Sequence, residues 1–112
     1  MDIVIEVRHY VTPSGKDIFD EWLTRLADPR AQAKIAARIN RLAAGNFCDC
    51  KPLRESVYEL RIGWGPGYRV YYGFIGRVCV LLLCGGDKRK QSADIQGAIR
   101  YLRDYKERSS NE

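Results

Sequence analysis

Three extended segments follow one another closely in the second half of the chain, at 57–62, 68–74 and 77–84. Apolar and polar side chains alternate in the first two, which is typical of strands with one buried face. The third, RVCVLLLC, is almost continuously apolar, which indicates a strand that is covered on both faces. Because only the glycine-rich stretch 63–67 and a turn at Gly76 separate them, the segments predict an antiparallel meander.

The first half of the chain predicts one strand and two helices. Residues 2–8 alternate and predict a strand. Residues 15–27 carry apolar side chains at helical spacing, after a capping box that begins at Ser14. An Asp-Pro pair at 28–29 marks the start of a second helix, which ends before Gly45. Because the two helices are joined directly, they are expected to form a helical hairpin.

The rest of the chain completes an α+β prediction. Residues 47–55 and 85–90 are expected to be loops, and 91–106 a C-terminal helix followed by a polar tail at 107–112. The element order is therefore β-α-α-β-β-β-α, a four-stranded, mostly antiparallel sheet with the helical hairpin and the C-terminal helix packed on it. A chain of 112 residues has room for one hydrophobic core, so 1–106 are expected to form a single domain. The predicted core consists of Trp22, Leu23, Leu26, Ile35, Ile39, Leu42, Leu60, Val70, Val80, Leu82 and Ile99.

The excess positive charge lies in the second half of the chain. The formal net charge is +5, and residues 51–112 hold twelve lysines and arginines against seven acidic residues. This asymmetry favours a polyanionic partner, nucleic acid first, although the same charge would also serve solubility.

No part of the sequence predicts a membrane span or an export signal. The longest apolar run, 78–84, has seven residues, whereas a spanning helix needs about 20. The N-terminus lacks the basic end and the apolar stretch of a secretory signal, so a cytoplasmic location is expected.

The cysteines and the single histidine predict no metal site and no cofactor. Cys48 and Cys50 are spaced C-x-C rather than C-x-x-C, and Cys79 and Cys84 have opposite parity on one strand. His9 lies far from all four in sequence. The thiols are therefore expected to be reduced and mostly buried.

A group of basic and aromatic side chains is the strongest candidate for a functional site. By strand parity, Arg61 on one strand faces the same way as Arg69 and Tyr71 on the next. Arginines and lysines converging on one spot suit a phosphate, and a tyrosine could stack on an unpaired base. The alternative is that the two arginines pair with Glu59 and Asp87 as surface ion pairs and that the tyrosines pack in the core. The loop after the third strand adds further cations: Lys88, Arg89 and Lys90.

Four segments, in this order and spacing, resemble one known family. They are TPSGKDIFDEWL at 12–23, ELRI at 59–62, GPGYRVYY at 65–72 and GGDKRKQSADI at 85–95. Together they resemble the RelE/ParE toxin superfamily, specifically the HigB-like addiction module killer proteins. The predicted element order is also the order of that family.

The resemblance implies the toxin of a type II toxin–antitoxin pair. Such a protein would act as a metal-independent, ribosome-dependent mRNA endoribonuclease that inhibits translation. It would also bind a cognate antitoxin, expected to be a helix-turn-helix protein. By position in the family's motifs, the catalytic residues would be Arg61, Arg69 and Lys88. The RNA-binding residues are expected to be Lys51, Arg54, Tyr71, Arg89 and Lys90.

Two departures from the family pattern leave alternatives open. Glu59 stands where RelE has a basic residue, and Asp94 and Ile95 stand where RelE has a base-stacking tyrosine. The stacking role would then pass to Tyr71 or Tyr101. The ParE branch shares the fold but poisons DNA gyrase, so the alternatives are a gyrase poison and a non-catalytic protein that binds only an antitoxin.

Overall fold

In a computed structural model of the chain, residues 5–47 and 49–110 are described. One sheet contains the strands β1 (Glu6–His9), β2 (Cys50–Pro52), β3 (Tyr58–Ile62), β4 (Tyr68–Ile75) and β5 (Cys79–Asp87). The helices are α1 (Ile18–Arg25), α2 (Pro29–Ala43) and α3 (Gln91–Ser110), and a 3-10 helix at Lys88–Lys90 leads into α3. Within the described ranges, no helix is long and apolar enough to span a membrane.

The strands lie in the order β1-β5-β4-β3-β2. β1 runs parallel to β5 and all other neighbours are antiparallel, so the predicted meander and the mostly antiparallel sheet are confirmed. The sheet has five strands rather than the predicted four, because β2 forms within the stretch 47–55 that was expected to be a loop. At three residues, β2 is too short to show an alternating pattern, and Pro52 is tolerated because the strand lies at the edge of the sheet.

β5 continues to Asp87, through two glycines that were predicted to begin a loop. A Cβ added to Gly85 would lie 2.3 Å from the Trp22 ring of α1, and one added to Gly86 would lie 2.0 Å from the Asp94 carboxylate of α3. These glycines therefore allow helices on opposite faces of the sheet to approach its backbone, rather than forming a turn.

The apolar side chains form two clusters, one on each face of the sheet. α1 and α2 cover one face and α3 covers the other, so both faces of β5 are buried, as its apolar sequence predicted. Ile99 packs in the cluster under α3, apart from the rest of the predicted core. On the other face, six predicted core residues are fully buried: Ile35, Leu42, Leu60, Val70, Val80 and Leu82. Half-buried against them lie Trp22, Leu23, Leu26 and Ile39.

Two helix ends differ from the predictions. α1 is capped by Asp17, whose Oδ1 accepts the Asp20 N–H at 3.0 Å, and not by the predicted box at Ser14. α3 runs to Ser110 instead of ending at 106, and Arg108 in its last turns donates to a backbone carbonyl at 2.6 Å. The predicted strand 2–8 is observed as β1, with residues 2–4 outside the described ranges, as is Cys48. α2 begins at Pro29, as the Asp-Pro pair predicted.

Candidate functional site

Arg61 and Arg69 lie directly opposite each other on β3 and β4. Both side chains project from the face of the sheet that α3 covers, as strand parity predicted. Directly opposed residues of an antiparallel pair have Cβ atoms about 5 Å apart, so the two guanidinium groups converge. Arg69 Nη1 also donates to the Gly67 carbonyl at 3.0 Å, which fixes this side chain along the β3–β4 turn.

The carboxylate of Glu59 lies between these arginines and is completely buried. Its Oε1 accepts from Arg61 Nε at 2.9 Å, and its Oε2 lies 3.5 Å from Arg69 Nε. Oε2 also accepts from the side-chain amide of Gln91, the first residue of α3, at 2.9 Å. A carboxylate this deeply buried requires such partners. Both arginines therefore pair with Glu59, as the alternative prediction from the sequence stated for one of them. The carboxylate of this ion pair is buried, however, and does not lie at the surface.

The two arginines differ in how far they are exposed. The Arg61 side chain is 51% exposed, whereas that of Arg69 is only 13% exposed. Arg69 is less accessible because it lies between the β3–β4 turn and the buried carboxylate. Arg61 is the member of the pair that a ligand reaches first.

Lys88 lies at the same corner of the molecule. It is exposed, and a Cβ added to Gly67 would be 4.0 Å from Lys88 Cβ and 3.6 Å from Arg69 Nη1. The structure therefore brings together the three residues to which the resemblance assigns catalysis. We call this group the arginine site: Glu59, Arg61, Arg69, Lys88 and Gln91.

The other two loop cations lie beside this site. Arg89 donates to the Asp87 carboxylate at 2.9 Å, which lowers the pKa of that carboxyl group. Asp87 therefore pairs with Arg89 and not with the strand arginines. Lys90 is exposed and close enough to lower the pKa of Asp94, but burial of Asp94 dominates and raises that pKa overall.

Tyr71 is fully buried, which corrects its prediction as an RNA-stacking residue. It lies opposite Glu59 in the sheet, on the face beneath α3, and α3 covers its ring. Burial, followed by the negative charge of Glu59, raises the pKa of Tyr71. A base cannot reach this ring. Tyr101, the other tyrosine considered, stacks on Tyr10 with ring centroids 5.0 Å apart.

The predicted RNA-binding residue Lys51 lies beside the arginine site, whereas Arg54 precedes the turn into β3. Lys51 is exposed and opposite Glu59 on the edge strand β2. Arg54 precedes a turn in which Glu55 and Ser56 both have positive φ, at 57° and 64°. Arg54 faces α3 across a groove of about 340 Å³ that Arg100 and Arg103 also line. These two helix cations were not among the residues predicted from the sequence, although they follow each other at helical spacing.

A second basic groove lies on the opposite face of the β3–β4 hairpin. It has a volume of about 300 Å³ between α2 and the β3–β4 turn. This groove was not predicted from the sequence, although its cations recur at i, i+4 and i+7 along α2. We call it the α2–Trp64 groove: Lys34, Ala37, Arg38, Arg41, Ile62, Gly63 and Trp64.

Comparisons with known proteins give a related sequence and similar folds among solved structures. No protein-family model matches the chain. A protein of Haemophilus influenzae, itself uncharacterised, is 54% identical over 80 residues, which cover 71% of this chain and 81% of the relative. The chain belongs to the family of this Haemophilus protein.

The structure resembles a chain of the toxin–antitoxin complex RelBE2 from Mycobacterium tuberculosis. The TM-score is 0.52 at 21% sequence identity, and the match covers 79% of this chain and 98% of that one. At this identity the likeness shows a common fold. It supports the RelE-like α+β architecture that the sequence resemblance implied.

The histidine and the buried thiols take part in ordinary structural contacts. His9 Nδ1 lies 2.8 Å from Asp17 Oδ2, on the face of the sheet opposite the arginine site. Burial raises the pKa of Cys84 to about 12, so its thiol stays protonated at neutral pH. Within residues 5–47 and 49–110, no group of three or more His, Cys, Asp or Glu side chains is arranged to hold a metal ion.

Proposed function

We propose that this protein is the toxin of a type II toxin–antitoxin pair and cleaves mRNA on the ribosome without a metal ion. The observation that carries the proposal is the opposition of Arg61 and Arg69, with Lys88 at the same corner. The fold shared with a chain of the RelBE2 complex and the HigB-like sequence segments support it. A cognate antitoxin, expected to be a helix-turn-helix protein, and a cytoplasmic location belong to the same proposal.

The chemistry that suits the arginine site is attack of a ribose 2′-hydroxyl on the adjacent phosphate. The 2′-hydroxyl gives up its proton to solvent water and its oxygen bonds to phosphorus while the bond to the 5′-oxygen breaks, which gives a 2′,3′-cyclic phosphate. Negative charge builds on the non-bridging oxygens in the transition state, and fixed guanidinium donors stabilise it there. Exposed Lys88 is the group proposed to protonate the departing 5′-oxygen.

Glu59 prepares the arginines for this task. It engages the Nε of Arg61 and lies beside the Nε of Arg69, while the Arg61 side chain as a whole remains half exposed. Because a guanidinium has five N–H donors, one arginine can bind Glu59 and a phosphate at the same time. The buried carboxylate is therefore a positioning group rather than a block to RNA.

A purified translation system tests the proposal. The protein is treated with a strong chelator, dialysed and added to ribosomes that translate a defined mRNA, after which transcript 5′ ends are mapped. New ends inside translated codons are expected, and they should be lost with Arg61→Ala but kept with the exposed Arg77→Ala at the far end of β4. If the transcripts stay intact, a separate supercoiling assay with DNA gyrase and plasmid DNA distinguishes the alternatives. Loss of supercoiling would identify a gyrase poison, and normal supercoiling would identify a protein that only binds an antitoxin.

A further inference from the structure

The α2–Trp64 groove is built from one charged helix face and one aromatic ring. Lys34, Arg38 and Arg41 face it from α2, and no carboxylate occurs among the described residues that line it. Arg38 is engaged at the edge, where its Nη2 donates to Asp49 at 2.5 Å. Lys34 and Arg41 are exposed and supply the groove with positive charge.

Trp64 is half-buried against the core cluster under α2 and α1. The Nζ of Lys34 lies 4.4 Å from the centroid of its ring. An exposed cation–π contact of this kind is weaker than stacking of a nucleobase on an indole. A base can therefore take the place of the Lys34 ammonium on the ring, and the displaced ammonium is then available to a neighbouring phosphate.

The β3–β4 hairpin joins this groove to the arginine site. Ile62 lines the groove, while its neighbour Arg61 projects from the other face of the same strand. The turn carries Trp64 on the groove side, and its Gly67 carbonyl binds Arg69 on the other side. Gly63 and Gly65 in the turn are exposed and have no side chain that would block a strand from passing around the tip.

We propose that the α2–Trp64 groove binds single-stranded RNA, with one base on Trp64 and flanking phosphates on Lys34 and Arg41. The bound strand continues around the β3–β4 turn into the arginine site, so the groove holds RNA next to the segment that is cleaved. This inference rests on the proposed RNA substrate. An acidic polypeptide would also be attracted by the cations, but alternation of an indole with cations is the pattern that binds nucleotides.

Binding of a fluorescein-labelled oligoadenylate to the full-length protein, followed by anisotropy, tests the groove. The double variant Lys34→Ala/Arg41→Ala should bind about tenfold more weakly at low salt. Its plot of log affinity against log salt should flatten by about 1.4 units, because two phosphates lose their partners. The control Arg25→Ala/Arg77→Ala removes two exposed arginines that do not line the groove, one on α1 and one in the β4–β5 turn, and should change the affinity much less. Equal losses in the two double variants would overturn the proposal.

Base stacking is tested separately with Trp64→Ala and an abasic oligonucleotide of equal length. Trp64→Ala should weaken oligoadenylate binding by at least about fivefold, without changing the salt slope, and should leave abasic binding unchanged. Thermal unfolding is recorded in parallel, and Trp64→Phe should restore most of the affinity. Equal binding of the base-containing strand by parent and Trp64→Ala would refute stacking on this ring.

The outcome for the groove is independent of the outcome for cleavage. If RNA binding depends on the groove but the parent protein does not cleave mRNA, RNA binding by the groove is supported and the ribonuclease proposal is wrong. If the parent and Lys34→Ala/Arg41→Ala cleave mRNA at equal rates and bind RNA with equal affinity, the ribonuclease proposal is supported and RNA binding by the groove is wrong. If the double variant loses affinity for oligoglutamate but keeps its affinity for RNA, the groove is a site for acidic protein and the proposal fails.

Discussion

Arg61 and Arg69 stand opposite each other on neighbouring strands, and one buried carboxylate, that of Glu59, pairs with both. Like charges directly opposed in a sheet destabilise it, so Glu59 offsets a repulsion that the site requires. Fold stability and the proposed chemistry therefore depend on the same three side chains.

Arg61→Ala should abolish most of the proposed activity and also lower the stability of the fold. Arg61 Nε donates to the fully buried Glu59 carboxylate at 2.9 Å, so its removal should lower the free energy of unfolding by about 1–3 kcal/mol. Loss of one donor to the transition-state phosphate costs about 2–4 kcal/mol, or about 30- to 1,000-fold in cleavage rate. Single-turnover cleavage of mRNA on ribosomes measures the effect. Cleavage at the parental rate by a folded variant would remove Arg61 from the mechanism.

Arg69→Ala should lose stability as well as activity, because Arg69 is largely buried against Glu59. Removing it leaves a buried carboxylate with one partner fewer, which costs about 1–3 kcal/mol. Arg69→Lys keeps a charge near Glu59 and should recover part of the stability but not the bidentate donors. Denaturant unfolding compares the two variants. Equal stability of Arg69→Ala and the parent would contradict the burial of this ion pair.

Glu59→Gln should have opposite effects on stability and RNA affinity. The amide can still form hydrogen bonds, but the repulsion between the arginines is no longer offset, so the free energy of unfolding should fall by about 1–3 kcal/mol. With one negative charge fewer at the site, oligoadenylate should bind more tightly at low salt. Unfolding and anisotropy measurements follow both changes. Weaker RNA binding by a folded Glu59→Gln variant would show that the arginines need the carboxylate to hold RNA.

Gly86→Ala should be among the most destabilising single-methyl changes in the chain. Its Cβ would lie 2.0 Å from Asp94 Oδ2, so α3 or the Asp94 side chain would have to shift. We expect a loss of about 1–3 kcal/mol, as for other overpacked sites. Gly63→Ala, with nothing within 4 Å, is the matched control.

The double variant Gly86→Ala/Asp94→Ala isolates that clash. Because shortening Asp94 removes the atom that the new methyl group meets, the second change should recover much of the stability lost by the first. Strictly additive losses would mean that the strain at Gly86 lies elsewhere.

Two aspartates near the arginine site should give pH dependences of opposite sign. Burial raises the pKa of Asp94 above its ordinary value of 3.8. The parent should therefore lose stability relative to Asp94→Asn as the pH rises from about 3.8 through this raised pKa. Hydrogen bonds from Arg89 lower the pKa of Asp87, so relative to Asp87→Asn the parent should lose stability as pH falls below 3.8. Thermal unfolding across acidic pH measures both, and slopes of the same sign would refute one of these environments.

Ser56→Gly should stabilise the β2–β3 hairpin. Glu55 and Ser56 both hold a positive φ, and the Val57 N–H donates to the Arg54 carbonyl at 3.2 Å, as in a type I′ turn. Glycine adopts this backbone without the steric cost that serine carries, so the free energy of unfolding should rise by about 1 kcal/mol. Gly76→Ala, which imposes the same strain at φ +65°, should lower it by a similar amount. A destabilised Ser56→Gly variant would contradict the turn geometry.

The sequence by itself determined the elements whose signals are local. The alternation of β3 and β4, the apolar run of β5 and the Asp-Pro start of α2 each follow from neighbouring residues, and the structure has all of them. Strand parity likewise placed Arg61 and Arg69 on one face, because side chains alternate along a strand whatever surrounds it.

Only the tertiary structure decided what covers that face. Packing of α3 on the sheet buries Tyr71, draws Gln91 onto Glu59 and turns a surface carboxylate into a buried one. It also pairs the short edge strand β2 with β3 and extends β5 through two glycines that local rules assign to a loop. These features depend on contacts between segments distant in the chain. A local pattern fixes the direction of a side chain, but burial and ion pairing depend on which element is packed above it.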